Sequence, residues 1–168
     1  MLDPETLQPV PQGEEGVISV PDNDAGLFLH YWNQPEETAK HRHDGWFITG
    51  DFARMDADGY IWFLGRKDDI IKSFGFRVSP YEVERVLKSH PDVADCACVA
   101  EEIEKDKVLV VAYAILQPNS KVSPDDLHAF GKKHLAAYKA PKVVYITDQF
   151  PRTKNGKILR RSVNPSIA

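Results

Sequence analysis

Five cations fall within residues 152–161, Arg152, Lys154, Lys157, Arg160 and Arg161, and Lys157 directly follows the turn pair Asn155-Gly156. A lysine carried on a tight backbone bend and followed by anchoring residues such as Ile158 and Leu159 can bring a point charge to a phosphate or a carboxylate. A solvated basic face is the alternative for such a run. Asp51 closes Thr49-Gly50-Asp51, and a carboxylate after a glycine turn can accept both of two vicinal hydroxyls, as on a ribose. An Asx-turn or a helix cap is the alternative there. Arg66, in Gly65-Arg66-Lys67-Asp68, can pair with phosphate or ribose oxygens, and Gly75 admits close approach to its backbone. Those two residues also fit an ordinary strand-loop-helix join carrying surface charge. Gly-x-Gly spacing is absent from the sequence, so no phosphate-binding glycine loop is expected. His41 and His43 lack a third ligand and read as surface histidines rather than a metal pair. No Ser/His/Asp order or nucleophile elbow points to hydrolysis.

The elements that must hold these residues change character along the chain. Residues 1–15 are rich in Pro, Gly and acid and read as a surface connection. Residues 16–20 and 26–32 read as two short strands, 35–40 as a brief helix opened by Pro35, and 46–48 as an aromatic strand between glycine turns. Residues 52–55 and 60–64 flank Asp56-Ala57-Asp58-Gly59 as a hairpin. From Ser79 the pattern is more regular. Ser79-Pro80-Tyr81-Glu82 reads as a capping box before a helix that His90-Pro91 stops. Residues 93–100 and 107–116 read as strands, and Ser123 caps a second helix with Leu127, Phe130, Leu135 and Tyr138 on its apolar side. A third strand over 143–147 and the basic tail complete an α+β unit: a three-stranded sheet flanked by helices.

With 168 residues, 42% apolar and 27% charged, the chain is an ordinary globular one, long enough for one core or for one domain and part of another. A net charge of −4 argues against general nucleic-acid binding. The apolar run over 108–116 is about half of what a bilayer span needs, and no basic-then-apolar segment opens the chain, so a cytoplasmic protein is expected. Cys96 and Cys98 sit two apart in a strand, where they share a face and read as small core residues, not as a disulfide or a zinc pair.

Four blocks in order resemble the adenylate-forming superfamily of acyl-CoA synthetases, peptide-synthetase adenylation domains and beetle luciferases. They are Gly45-Trp46-Phe47-Ile48-Thr49-Gly50-Asp51; Gly65-Arg66-Lys67-Asp68 through Gly75-Phe76-Arg77-Val78 with Glu82-Val83-Glu84; Tyr138-Lys139-Ala140-Pro141-Lys142; and Pro151-Arg152-Thr153-Lys154-Asn155-Gly156-Lys157-Ile158. The resemblance implies a two-step reaction. A carboxylic acid and Mg-ATP give an acyl-adenylate and pyrophosphate, and then coenzyme A displaces AMP. It implies that Asp51 holds the ribose, that Arg66 and Arg77 contribute to nucleotide and cofactor binding, and that Asp68 is a hinge. It further implies that Lys157 bridges acid and α-phosphate during adenylation. The 72–75 loop, with Lys72, would replace that lysine for thioester formation, Gly75 lining the pantetheine entrance. Tyr138 and Pro141 would shape the lysine loop. Mg2+ would enter with ATP, with no metal held by the protein.

The superfamily's phosphate loop, acyl pocket and magnesium-linked glutamate lie in a large N-terminal domain of which the chain has only terminal strands. Residues 1–64 are therefore expected to be the end of that domain and 65–168 the complete C-terminal domain. On this reading the chain is inactive alone and its partner is the large domain, with no nucleic acid and no membrane span. Ala100-Glu101-Glu102-Ile103-Glu104 departs from the Gly-Val-Pro-Asp common among relatives, which loosens subgroup assignment. The residues 71–80 look more like those of CoA ligases, and no carrier segment follows the lysine motif, which favours free coenzyme A. A free-standing nucleotide- or partner-binding module, and a fragment of a peptide-synthetase or carrier-protein adenylation domain, are the rivals.

Overall fold

The computed structural model describes residues 1–105 and 107–164. Two compact units divide between Asp68 and Asp69, inside a single 3-10 turn over Lys67–Asp69.

The first unit is a four-stranded antiparallel sheet. β1 (Glu15–Pro21) and a two-residue β2 (Arg42–His43) flank the long β3 (Trp46–Met55), which also pairs with β4 (Ile61–Arg66). A short helix, α1 (Pro35–Lys40), precedes β2. Val17, Phe47, Ile48, Phe52 and Ala53 are buried between them. β3 is one continuous strand across Gly50, where the sequence suggests a break. Gly50 takes φ +78° within the strand, a conformation that costs glycine little.

The strand expected over 26–32 does not form, because other groups satisfy its backbone. The Leu29 carbonyl accepts from Arg42 Nη2 at 3.0 Å, and the Tyr31 N–H donates to Thr38 Oγ1 at 3.0 Å. Phe28 packs edge-on against Phe47, ring centres 5.2 Å apart. The histidines are also occupied: His41 Nδ1 and His43 Nε2 each lie 2.9 Å from a backbone carbonyl oxygen.

The second unit is the α+β arrangement expected. A hairpin of β5 (Ile71–Ser73) and β6 (Phe76–Val78) leads to α2 (Pro80–Lys88). β7 (Val93–Glu104), β8 (Lys107–Leu116), α3 (Pro124–His134) and β9 (Val143–Ile146) follow. The sheet order is β7-β8-β9, antiparallel then parallel. Alternation along β7 and β8 sends Cys96, Cys98, Val110, Ala112 and Ala114 into a core with the helices and with Ile71 and Val78. Ala97, Val111 and Tyr113 point to the other face, against Phe150, Val163 and Ile158. Both faces are covered, which is why β8 reads as an unbroken apolar run. Both cysteines are free and buried, and burial pushes their thiols well up.

Two helix ends differ from the sequence reading. Ser79 accepts from the Glu82 N–H at 3.2 Å, but the Glu82 carboxylate turns to Lys139 Nζ at 2.7 and 2.8 Å, so only half of the capping box forms. Ser123 and Asp126 make the complete box. α3 stops at His134 because Leu135 is extended, with ψ 153°, and a separate turn carries Tyr138. No helix among the described residues is long and apolar enough to cross a membrane.

Candidate functional site

In the first unit the two residues singled out for a nucleotide meet directly. Asp51 and Arg66 are opposite one another on β3 and β4, and Arg66 Nη1 donates to Asp51 Oδ1 at 2.9 Å and to the Thr49 carbonyl at 3.0 Å. Thr49 Oγ1 donates to the Ile18 carbonyl at 2.9 Å and accepts from the Asp51 N–H at 3.1 Å. Gly50 therefore does more than take a positive φ within the strand. A Cβ on Gly50 would stand 2.7 Å from Arg66 Nη2, so the guanidinium lies across the space that glycine leaves. Both side chains are partly open, Arg66 at 46% and Asp51 at 37%, which keeps a carboxylate and a cation available side by side. Gly50→Ala should displace Arg66 and strain the backbone by about 1–3 kcal/mol. The checks are a lowered thermal midpoint and a shift of the Arg66 Nε–H NMR signal; an unmoved signal would show that the guanidinium does not depend on Gly50.

In the second unit, Lys72 and Arg77 are cross-strand neighbours on the β5–β6 hairpin. Its two-residue turn is Phe74-Gly75, with φ +46° and +82°. Both values are left-handed, as a type I′ turn requires, and a phenylalanine in that region is uncommon. A Cβ on Gly75 would meet nothing within 4 Å, so its own fold needs this glycine for backbone conformation and not for close packing. The hairpin is held at its base by Ile71 and Val78 in the helix-side core and by Ser73 Oγ, which donates to the Val108 carbonyl at 2.7 Å. Phe76 stacks on Tyr138 with ring centres 4.5 Å apart. Tyr138 thus braces the Lys72 hairpin, while Pro141 fits against Gly131, 3.3 Å from where a Cβ there would lie. Neither contact touches the Lys157 loop that the resemblance has them shape.

Lys157 lies in a tight loop closed by an Arg152–Ile158 bridge. Thr153 N–H donates to the Lys157 carbonyl at 2.8 Å, Gly156 N–H to the Thr153 carbonyl at 2.9 Å, and Lys157 N–H to Thr153 Oγ1 at 3.1 Å. Gly156 takes φ +81°. Ile158 packs on the sheet face away from the helices. The hairpin with Lys72 and the loop with Lys157 are therefore rooted on opposite faces of one sheet.

Two of the tail's cations are paired with acids. Arg152 pairs with Asp95 at the start of β7 and donates to the Gly156 carbonyl at 2.8 Å. Arg160 forks onto Glu84 with contacts of 2.8, 3.0 and 3.2 Å. It also lies over the Tyr81 ring at 4.3 Å and 3.6 Å from Asp69. Glu84 is 5% exposed and accepts the Cys98 N–H at 2.9 Å. Burial lifts its carboxyl above the ordinary range, with Arg160 opposing that shift. Asp95 and the Glu84–Arg160 pairing were not read from the sequence. A buried position inside the Glu82-Val83-Glu84 motif, demanding a cation, is the signal that would have found the second.

No group of three His, Cys, Asp or Glu among the described residues is arranged to hold a metal. Residues 82–157 match the family model described as AMP-binding enzyme C-terminal domain. The chain is 37% identical over 162 residues to the mitochondrial acyl-coenzyme A synthetase ACSM3 of Rattus norvegicus, covering 92% of the chain and 28% of the relative. It is 42% identical over 139 residues to the 2-succinylbenzoate–CoA ligase of Geobacillus kaustophilus, covering 82% of the chain and 28% of that protein. The O-succinylbenzoate coenzyme A synthetase of Bacillus subtilis, solved in complex with AMP, superimposes with a TM-score of 0.86 at 32% identity. That match covers 97% of the chain and 33% of the solved one. The chain thus spans between a quarter and a third of the length of these relatives.

Proposed function

Since the chain belongs to the adenylate-forming enzymes and carries the C-terminal domain of AMP-binding enzymes, we propose that it is the C-terminal part of an acyl-CoA synthetase. With its large domain it activates a carboxylic acid through ATP and passes the acyl group to coenzyme A. The observation that carries this reading is the rooting of Lys72 and Lys157 on opposite faces of one sheet. A unit built so presents one lysine at a time, and a turn at the Asp68 hinge exchanges them; the division of the chain there supports that pivot.

In the first step Lys157 brings its ammonium between the acid's carboxylate and the α-phosphate, where charge develops as the carboxylate oxygen attacks and pyrophosphate leaves. The partly open Asp51 accepts from the ribose hydroxyls. Arg66, steadied by Asp51 and the Thr49 carbonyl, adds a cation on the same edge. The pair fits a nucleotide: one acceptor carboxylate and one forked cationic donor, both partly open to solvent. Magnesium enters with ATP. In the second step the hairpin of Lys72, Gly75 and Arg77 replaces Lys157 while the thiol of coenzyme A displaces AMP.

Arg152 and Arg160 are committed to Asp95 and Glu84, which weakens the reading of the tail as a nucleic-acid or acidic-partner surface. Cytoplasmic residence is part of the proposal. The test is pyrophosphate release from ATP by this chain across a panel of carboxylic acids. None is expected until a large domain is supplied, and release by the chain alone would overturn the division of labour.

A further inference from the structure

The peptide between Gly156 and Lys157 is held at both of its polar atoms. Arg152 Nη1 donates to its carbonyl at 2.8 Å, and its N–H donates to Thr153 Oγ1 at 3.1 Å. A peptide plane fixed at both ends sets the direction in which the next side chain leaves the backbone, here that of Lys157. Thr153 is held by the loop itself, through its N–H on the Lys157 carbonyl at 2.8 Å. Arg152 is 41% exposed, and an exposed arginine keeps one geometry only if its other end is anchored.

Asp95 is that anchor. Its Oδ2 takes Arg152 Nη2. Its Oδ1 accepts the Cys96 N–H at 2.8 Å and lies 3.7 Å from Lys88 Nζ. The carboxylate is 25% exposed, and both oxygens are engaged, so its rotamer is fixed on β7. Charge-assisted bonds of this kind are the strong ones, and arginine's fork lets a single side chain serve the carboxylate and the carbonyl together. Lysine at 152 would offer one point charge for two acceptors.

We propose that Asp95 is a positioning residue for Lys157, acting through Arg152. The relay runs from β7 to the guanidinium, to the Gly156 carbonyl, and so to the lysine. It rests on the reading of Lys157 given above, and it predicts a defect specific to the step that uses Lys157.

The test has two arms. In the labelled chain, Asp95→Asn should lower protection of the Lys157 amide against hydrogen exchange roughly tenfold, the scale of one charge-assisted bond. Protection at Ala112 in β8 should stay unchanged, and Asp95→Glu should keep most of the Lys157 value. Lys157 protection that is unchanged, or that falls only in step with Ala112, overturns the proposal. In the longer enzyme, Asp95→Asn should lower kcat for adenylate formation about 10- to 100-fold, as a small misplacement does. Thioester formation from preformed acyl-adenylate should keep its rate. If Lys157→Ala slows adenylation and Asp95→Asn leaves it intact, the positioning role is wrong and the reading of Lys157 stands. If Lys157→Ala itself has no effect, the reading of Lys157 fails, and the exchange arm alone decides whether Asp95 sets the loop.

Discussion

Alanine at Lys157 is expected to slow acyl-adenylate formation about 100- to 1,000-fold, the loss typical when one preorganised charge or donor is removed. Thioester formation from preformed acyl-adenylate should be almost unaffected. The argument is local before it is functional. Lys157 is exposed while its backbone is bonded on both sides, by Thr153 and through Gly156 by Arg152. That combination of a fixed main chain and an open ammonium suits a group that must meet a developing charge without reorganising. Lys157→Arg should recover little, because a planar fork does not replace a point charge at the same distance. ATP-pyrophosphate exchange measures the first step, and coenzyme A consumption from synthetic adenylate measures the second.

Methionine at Arg160 should destabilise the second unit by about 3–5 kcal/mol, since removing one member of a buried pair strands the other's charge. The stranded group is Glu84, 5% exposed, which also accepts the Cys98 N–H at 2.9 Å. Pairing Arg160→Met with Glu84→Gln should restore much of the loss, and urea melts of the four proteins give the coupling energy directly. Additive losses would mean that the fork contributes nothing.

The pH dependence follows from the same carboxyl. Burial already raises Glu84 in the native fold, and removing Arg160 removes a force that opposes the rise. The folded variant then holds a proton at pH values where the unfolded chain has released it, so its stability falls as pH rises through that window. The deficit against the unsubstituted chain should accordingly shrink as pH is lowered towards the ordinary glutamate range of about 4.3. A deficit constant between neutral and acid pH would point to lost packing over Tyr81 instead.

Much of this architecture is legible in the sequence because local rules agree with it. Ser123 with Asp126, Pro35 at a helix start, the turn glycines Gly59 and Gly156 and the unbroken apolar run of β8 each signal their element. Failures occur where a distant group overrides the local pattern. Residues 26–32 have strand composition, yet Arg42 and Thr38 take their backbone bonds, and Trp32 is left 88% exposed. Tyr138 fits the apolar side of α3, but Leu135 leaves the helix and frees Tyr138 for Phe76.

The candidate site divides in the same way. Asp51, Arg66, Lys72, Gly75, Arg77 and Lys157 can be named from motifs, and Asp51 with Arg66 can be paired once the β3–β4 register is known. Asp95 stands in no motif, and Glu84 stands in one that calls for a cation without saying which, for neither acid is near its arginine in sequence. A charge run reveals how many cations there are, not which of them meets a buried acid 76 residues away.

The decisive comparison sets Lys157→Ala beside Lys72→Ala in the longer enzyme, with both half-reactions followed in each. Opposite losses are expected: adenylation falls with Lys157, and thioester formation falls with Lys72. Parallel losses in the two variants would contradict a domain that turns one face and then the other to the same substrate.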